Sequence, residues 1–158
     1  MVGEPITKAG AAELQTIVGA YNRLCEHNAE KANLLKHKAE HDPLTNLINR
    51  AAFDEIKEVL RDAHEPIAYL LIDVDFFKQI NDVYGHQTGD KVLKRIANIL
   101  SEQFRDSDYV ARVGGDEFAV IMTNFGNSPT EIIKNKIDNM NNILQSVDAE
   151  LPSISLSV

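Results

Sequence analysis

The sequence predicts an α+β fold: an antiparallel sheet of ferredoxin-like or palm-type βαββαβ order, with helices on one face and a long helix in front of it. Three observations lead there. Residues 11–40 contain no proline and carry apolar side chains at heptad spacing. An uninterrupted apolar run over residues 67–72 ends abruptly in Asp73-Val74-Asp75. Two further apolar runs, 109–113 and 118–122, are divided by Gly114-Gly115-Asp116-Glu117 in the manner of a β-hairpin.

Composition narrows the function classes. The 158 residues are 44% hydrophobic and 25% charged, the balance of a soluble chain long enough for one real core. The longest apolar run is six residues, far short of the ~20 that a membrane helix needs. The first ten residues include Glu4 and Pro5 and lack the apolar stretch of a signal peptide. A single cysteine, Cys25, excludes an internal disulfide and fits a reducing compartment, so a cytoplasmic location is expected. The net charge of −8 falls entirely on residues 41–158, which carry eleven basic and nineteen acidic groups. Such a domain binds polynucleotides poorly, because their affinity comes largely from Lys and Arg neutralising phosphates. Phosphates would instead be handled through a metal held by carboxylates.

Taken in order, positions 14, 18, 21, 25, 28, 32, 35 and 39 step alternately by four and three. They hold Leu14, Val18, Tyr21, Cys25, Asn28, Ala32, Leu35 and Ala39, the seam of a two-stranded coiled coil with Asn28 as a register-setting polar position. Lys31 and Lys36 would face each other across a parallel dimer and weaken it. The alternative is one amphipathic helix lying on its own domain. His41-Asp42-Pro43 ends this helix, since the residue before proline is pushed out of the α region. A turn over residues 43–47 follows, with Thr45 or Asn46 capping a helix from Ile48 or Asn49 to about Ala63. Phe53, Ile56, Val59 and Leu60 form its apolar face, and Glu65-Pro66 marks its stop. The division is therefore 1–40, a helical segment with a possible dimer seam, and 41–158, a globular domain.

The run ending at Asp75 reads as a central strand covered on both faces, delivering Asp73 and Asp75 to one side. Residues 76–84 make a short helix closed by Gly85 and residues 86–90 a loop, in which Thr88, Gly89 or Asp90 can start a helix over residues 91–104 with Val92, Leu93, Ile96, Ile99 and Leu100 inside. A polar link, 105–108, leads to the hairpin, whose tight turn calls for glycine because it needs positive φ. The loop 124–129 opens a helix to about Val147, with Ile132, Ile133, Ile137, Met140, Ile143 and Leu144 buried. A last strand, 154–158, alternates Ile154, Leu156 and Val158 with serines.

In a βαββαβ sheet the first strand and the hairpin are neighbours, so Asp73 approaches Asp116 and Glu117. Three converging carboxylates repel one another unless a divalent ion sits among them, and Mg²⁺ suits oxygen donors plus substrate phosphates. Lys78 is a candidate phosphate contact. Asn81 and Asp90 offer groups complementary to guanine. Taken alone, Gly-Gly followed by two acids also describes an ordinary exposed hairpin. Cys25 stands alone, the five histidines lack zinc spacing, and Gly114-Gly115 precedes no Lys-Ser/Thr of a phosphate-binding loop.

Four motifs carry a family resemblance over residues 41–158. They are Asp42-Pro43-Leu44-Thr45-Asn46-Leu47-Ile48-Asn49-Arg50, then Asp73-Val74-Asp75-Phe76-Phe77-Lys78-Gln79-Ile80-Asn81-Asp82. Tyr84-Gly85-His86-Gln87-Thr88-Gly89-Asp90 and Arg112-Val113-Gly114-Gly115-Asp116-Glu117-Phe118 complete the set. In this order they resemble the GGDEF family of diguanylate cyclases. The resemblance implies condensation of two GTP to cyclic di-GMP across a homodimer, with Mg²⁺ or Mn²⁺ bound by Asp73, the Val74 carbonyl and Asp116. Glu117 assists as metal ligand or base. It further implies guanine recognition by Asn81 and Asp90 beside His86, phosphate contacts from Lys78 and the backbone of Phe76 and Phe77, and substrate passing over Gly114 and Gly115. Members often have His where this chain has Phe76. Arg105 and Asp108 match the family's inhibitory product site. Members also continue past the last strand into a segment whose Lys and Arg hold the triphosphate; the present sequence stops at Val158, which implies a C-terminally incomplete domain. A non-catalytic module that senses GTP or cyclic di-GMP is the alternative.

Overall fold

The structure, a computed structural model, describes residues 8–64, 66–123, 125, 129–146 and 151–158. It falls into two compact units, one ending at Ala39 and the other beginning at Glu40. The first is helix α1 (Lys8–Glu40), 33 residues long. The seam residues Leu14, Val18, Tyr21 and Leu35 are exposed, Leu14 at 66%, and exposed Ile17 and Leu24 widen the stripe.

The second unit contains β1 (Ile48–Asn49), α2 (Arg50–Asp62), β2 (Ile67–Val74), α3 (Phe77–Tyr84) and α4 (His86–Gln103). It continues with β3 (Tyr109–Arg112), β4 (Glu117–Thr123), α5 (Pro129–Gln145) and β5 (Leu156–Ser157). The strands form one sheet in the order β1-β3-β4-β2-β5. From β2 onward this is the expected α+β pattern, with each of β3, β4, β2 and β5 antiparallel to its neighbour. Two features correct the four-stranded antiparallel expectation. β1 adds a fifth strand parallel to β3, pairing Ile48 with Ala111 and Asn49 with Arg112. Two residues are too few to show an alternating pattern, so sequence reading assigned them to the helix. In addition, α2 covers the face opposite the other helices.

The two faces have separate cores. Leu70, Ile72 and Val74 of β2 and Phe118, Val120 and Met122 of β4 point at α3, α4 and α5, where Ile80, Val92, Ile96, Leu100, Met140 and Leu144 meet them. Ala119 and Ile121 point the other way, into a smaller cluster around Phe53 of α2. β4 is thus buried on both sides. β2 is not: Tyr69 and Leu71, on the α2 face, are 50% and 47% exposed, which corrects the expectation of a strand covered on both faces. Its continuous apolar run came from an aromatic and a leucine that α2 only partly shelters, Tyr69 packing at 6.0 Å between ring centroids against Phe53.

Local chemistry sets the boundaries. α2 is capped by Asn49, whose side chain accepts from the Ala52 N–H at 3.0 Å, rather than by Thr45 or Asn46. Those two lie in a turn closed by Asp42 N–H to Leu47 C=O at 2.7 Å and Asn46 N–H to Asp42 C=O at 2.8 Å. Gly85, at φ 84°, ends α3 and starts α4, its N–H donating to Asn81 C=O and its carbonyl accepting from the Thr88 and Gly89 N–H groups. Residues 86–90, expected as a loop, are therefore the first turns of α4. Thr88 and Gly89 read as loop formers, yet the Thr88 hydroxyl bonds back to Tyr84 C=O and Gly89 is a packing contact. Of the strand expected at 154–158 only Leu156 and Ser157 pair, opposite Val74 and Asp73. Glu65, four residues of the 124–129 loop (124 and 126–128) and Val147 lie outside the described residues.

Candidate active site

The antiparallel register of β2 on β4 places Asp73 directly opposite Glu117. One residue further, the Val74 N–H donates to the Asp116 carbonyl at 3.1 Å. The four-residue link between β3 and β4 is closed by Val113 N–H and Gly114 N–H, both donating to Glu117 C=O, at 2.9 and 3.2 Å. Neither glycine has positive φ; among the described glycines only Gly85 does, which corrects the reason expected for Gly-Gly. Gly114 is needed for space. A Cβ there would sit 2.5 Å from Glu117 Oε2 and 3.0 Å from Glu117 Cβ, so the missing side chain lets the Glu117 carboxylate fold back across the turn. A Cβ on Gly115 would meet nothing within 4 Å.

Desolvation at the end of the strand pushes the Asp73 carboxyl above its ordinary range, and repulsion from Asp116, Glu117 and Asp75 adds to it. Charge repulsion of this kind is what a divalent cation relieves. Among the described residues no three acidic, His or Cys side chains are gathered into a complete ligand set. A Mg²⁺ site needs only one or two carboxylates, the remaining positions going to water and phosphate oxygens, so the donors present fit that ion. Asp75, expected beside Asp73, is otherwise engaged: its carboxylate accepts from the Ser155 hydroxyl at 2.6 Å and from the Ser157 hydroxyl, tying β2 to the last strand.

Phe76 stands between the acids and α3 in a left-handed conformation, φ 56° and ψ 24°, with its ring 72% exposed. A non-glycine residue there is strained by an amount on the order of 1 kcal/mol or more. Phe77 packs into the main core. Lys78 is exposed on the first turn of α3, and His86 is exposed at the start of α4. Asn81 is half-buried where α3 meets α4; a Cβ on Gly89 would lie 1.9 Å from its Oδ1. The helix contact therefore brings Asn81 against Gly89, next to the exposed Asp90.

Arg105 is exposed, whereas Asp108 is 9% exposed and structurally committed. Its Oδ2 accepts from Arg105 N–H at 3.0 Å and its Oδ1 from Thr123 N–H at 3.1 Å, locking the link before β3 to the end of β4. With His41, Asn46, Ser101 and Asp106 the pair lines an open cleft of about 230 Å³.

Sequence reading assigned no role to Asp42, Arg50 or Arg112, although all lie in quoted motifs. The Arg112 guanidinium donates to both Asp42 oxygens at 3.3 and 3.2 Å and to the Gly115 carbonyl at 2.8 Å. Arg50 donates to the Val113 carbonyl at 3.3 Å. Asp42 also accepts from Leu44 N–H, Thr45 N–H and the Thr45 hydroxyl. Burial opposes its ionised form, but the two Thr45 bonds and Arg112 outweigh it and hold the carboxyl below its ordinary value. The available signal was a paired Asp and Arg, seventy residues apart, at the edges of two motifs.

Comparison with known proteins agrees with this architecture. The family model described as diguanylate cyclase, GGDEF domain, matches residues 39–158. Over 97% of its length the chain is 40% identical to diguanylate cyclase TpbB of Pseudomonas aeruginosa, covering 38% of that protein. It is 36% identical to diguanylate cyclase DosC of Escherichia coli over 78% of the chain and 28% of the relative. The chain thus spans well under half of these relatives. Among solved structures it resembles the coiled coil and GGDEF domain of DgcB from Caulobacter crescentus in complex with c-di-GMP. That match has TM-score 0.76 and 26% identity, covering 91% of this chain and 80% of that one. The GGDEF domain of Pseudomonas aeruginosa TpbB superposes with TM-score 0.63 and 42% identity, over 74% and 72% of the two chains. With the fold, the four motifs and these relatives in agreement, the chain belongs to the GGDEF family of diguanylate cyclases.

Proposed function

We propose that residues 41–158 form the catalytic domain of a diguanylate cyclase that condenses two GTP into cyclic di-GMP. The observation that carries this reading is the opposition of Asp73 to Glu117, with Asp116 bonded to the next residue of β2; desolvation, with repulsion from Asp116, Glu117 and Asp75 added to it, raises the Asp73 carboxyl. In each half-reaction a 3′-hydroxyl oxygen bonds to the α-phosphorus of the other GTP, the bridging P–O bond to the β-phosphate breaks, and pyrophosphate leaves. In this reading Glu117 takes the hydroxyl proton or joins Asp73, the Val74 carbonyl and Asp116, the residues that would hold Mg²⁺ or Mn²⁺. When bound, that ion would neutralise phosphate charge. Lys78 and the backbone N–H groups of Phe76 and Phe77 hold phosphates, while Asn81 and Asp90, beside His86, read guanine. Gly115 leaves the turn open for substrate, while Gly114 makes room for the Glu117 carboxylate.

One domain holds one GTP in this scheme, so two copies must face each other. The exposed apolar stripe of α1 supports a homodimer formed through residues 8–40, the segment we assign to dimerisation and signalling. Arg105 and Asp108 are the proposed product-inhibition site; each Asp108 oxygen has a second lone pair beyond the backbone bond it accepts. Among the described residues no helix is long and apolar enough to cross a membrane, and we place the reaction in the cytoplasm with its GTP.

The test is incubation with GTP and Mg²⁺ and separation of nucleotides by chromatography. Cyclic di-GMP should form, and Asp116→Ala should lower its rate at least a hundredfold, in keeping with loss of a metal-held transition state. No product, or equal rates in the two proteins, rejects the enzyme; product binding retained without turnover would select the sensor reading.

A further inference from the structure

The turn that carries Asp116 and Glu117 is intrinsically loose, because two consecutive glycines have the widest backbone freedom of any pair. Gly114 cannot be exchanged for a stiffer residue without striking Glu117. Some other part of the chain must supply the stiffness. Two arginines do so from outside the turn. Arg50, at the start of α2, donates to Val113 C=O, and Arg112, at the end of β3, donates to Gly115 C=O at 2.8 Å. A fixed Gly115 carbonyl fixes the peptide plane that leads into Asp116, since that plane is rigid.

Arg112 is itself anchored. Its Nη1 faces both oxygens of Asp42, and the two side chains are only 15% and 18% exposed. Asp42 is held in turn by Thr45 and by the closed backbone turn of residues 42–47. Meanwhile Arg112 Nε is buried without a hydrogen-bond partner among the described residues. Here its orientation is set by reaching Asp42 and the turn at once.

We propose that Arg112, anchored by Asp42, is the positioning residue of the reaction, holding the glycine turn so that Asp116 and Glu117 meet Asp73 in register. The role rests on the cyclase reading, but the restraint itself does not. A lysine keeps the charge facing Asp42 yet, as a single point donor, cannot span both acceptors.

The test compares wild type, Arg112→Lys, Arg112→Met and the charge-neutral Asp42→Asn/Arg112→Met double variant, which avoids an uncompensated charge if the single variant unfolds. Amide hydrogen exchange over residues 113–117 is measured without nucleotide, thermal melting reports folding, and steady-state kinetics report turnover. In folded Arg112→Lys, exchange in the turn should rise about tenfold. Its kcat should fall at least about tenfold, while KM for GTP stays within about threefold. The double variant should behave the same way. Unchanged exchange in a folded variant, or lysine restoring both protection and kcat, overturns the proposal. Faster exchange with no cyclic di-GMP from wild type keeps the clamp and removes the cyclase reading instead.

Discussion

Gly89 illustrates how a single atom's absence shapes the proposed guanine side of the site. It is buried in α4, where alanine would ordinarily favour the helix by about 1 kcal/mol. Yet a Cβ would fall 1.9 Å from Asn81 Oδ1 and 3.2 Å from the Phe77 ring. Gly89→Ala should therefore leave the fold near wild-type stability while turning Asn81 aside, weakening GTP at least about tenfold by calorimetric titration, the cost of one or more hydrogen bonds. Unaltered affinity would remove Asn81 from the guanine contact. Sequence reading proposed Asn81 and Asp90 by their chemistry, but placed Gly89 in a loop or at the start of a helix, not as a packing contact. Its packing partner lies on another helix, and spacing along one chain does not reveal that. Gly114 repeats the lesson: the glycine was legible, while its cause, the folded-back Glu117, was not.

At the scale of elements, long periodic segments were the most legible. The single 33-residue α1, the buried faces of α4 and α5, and strands β2 and β4 follow patterns that many residues repeat. Short elements were less so: β1 pairs through two residues and was read as helix, and although Gly85 marked the end of α3, α4 starts directly after it rather than beyond a loop. The exposed stripe of α1 carries the next prediction. A helix exposing this much apolar surface gains by pairing, and heptad spacing directs it toward a second copy. The chain should sediment as a concentration-dependent dimer, and Val18→Lys, placing charge in the seam, should raise the dimer dissociation constant by about tenfold or more. A monomer at all concentrations would refute the pairing and with it the simplest route to two facing sites.

For the whole molecule, acid stability reads out the connection between the turn of residues 42–47 and the β3–β4 hairpin. The Asp42 carboxyl lies below its ordinary value of 3.8 when folded, so its contribution is fully present above that pH and is lost as pH falls through the folded value. Asp42→Asn should lower stability at neutral pH, and the gap from wild type should close below about pH 4 in urea titrations. Asp73 has the opposite sign: its raised carboxyl costs stability as pH climbs through its titration, a cost that a bound divalent ion would remove. A gap that persisted undiminished into acid would show that Asp42 acts through something other than its charge. By itself the sequence determined the element types, the acids at the end of β2 and the hairpin that answers them, because periodicity, capping and turn chemistry act between near neighbours. Only the tertiary structure decided that β1 extends the sheet, that α2 takes the opposite face, and that Asp42 reaches Gly115 through Arg112. Those contacts join residues dozens of positions apart, and packing of the whole sheet selects them.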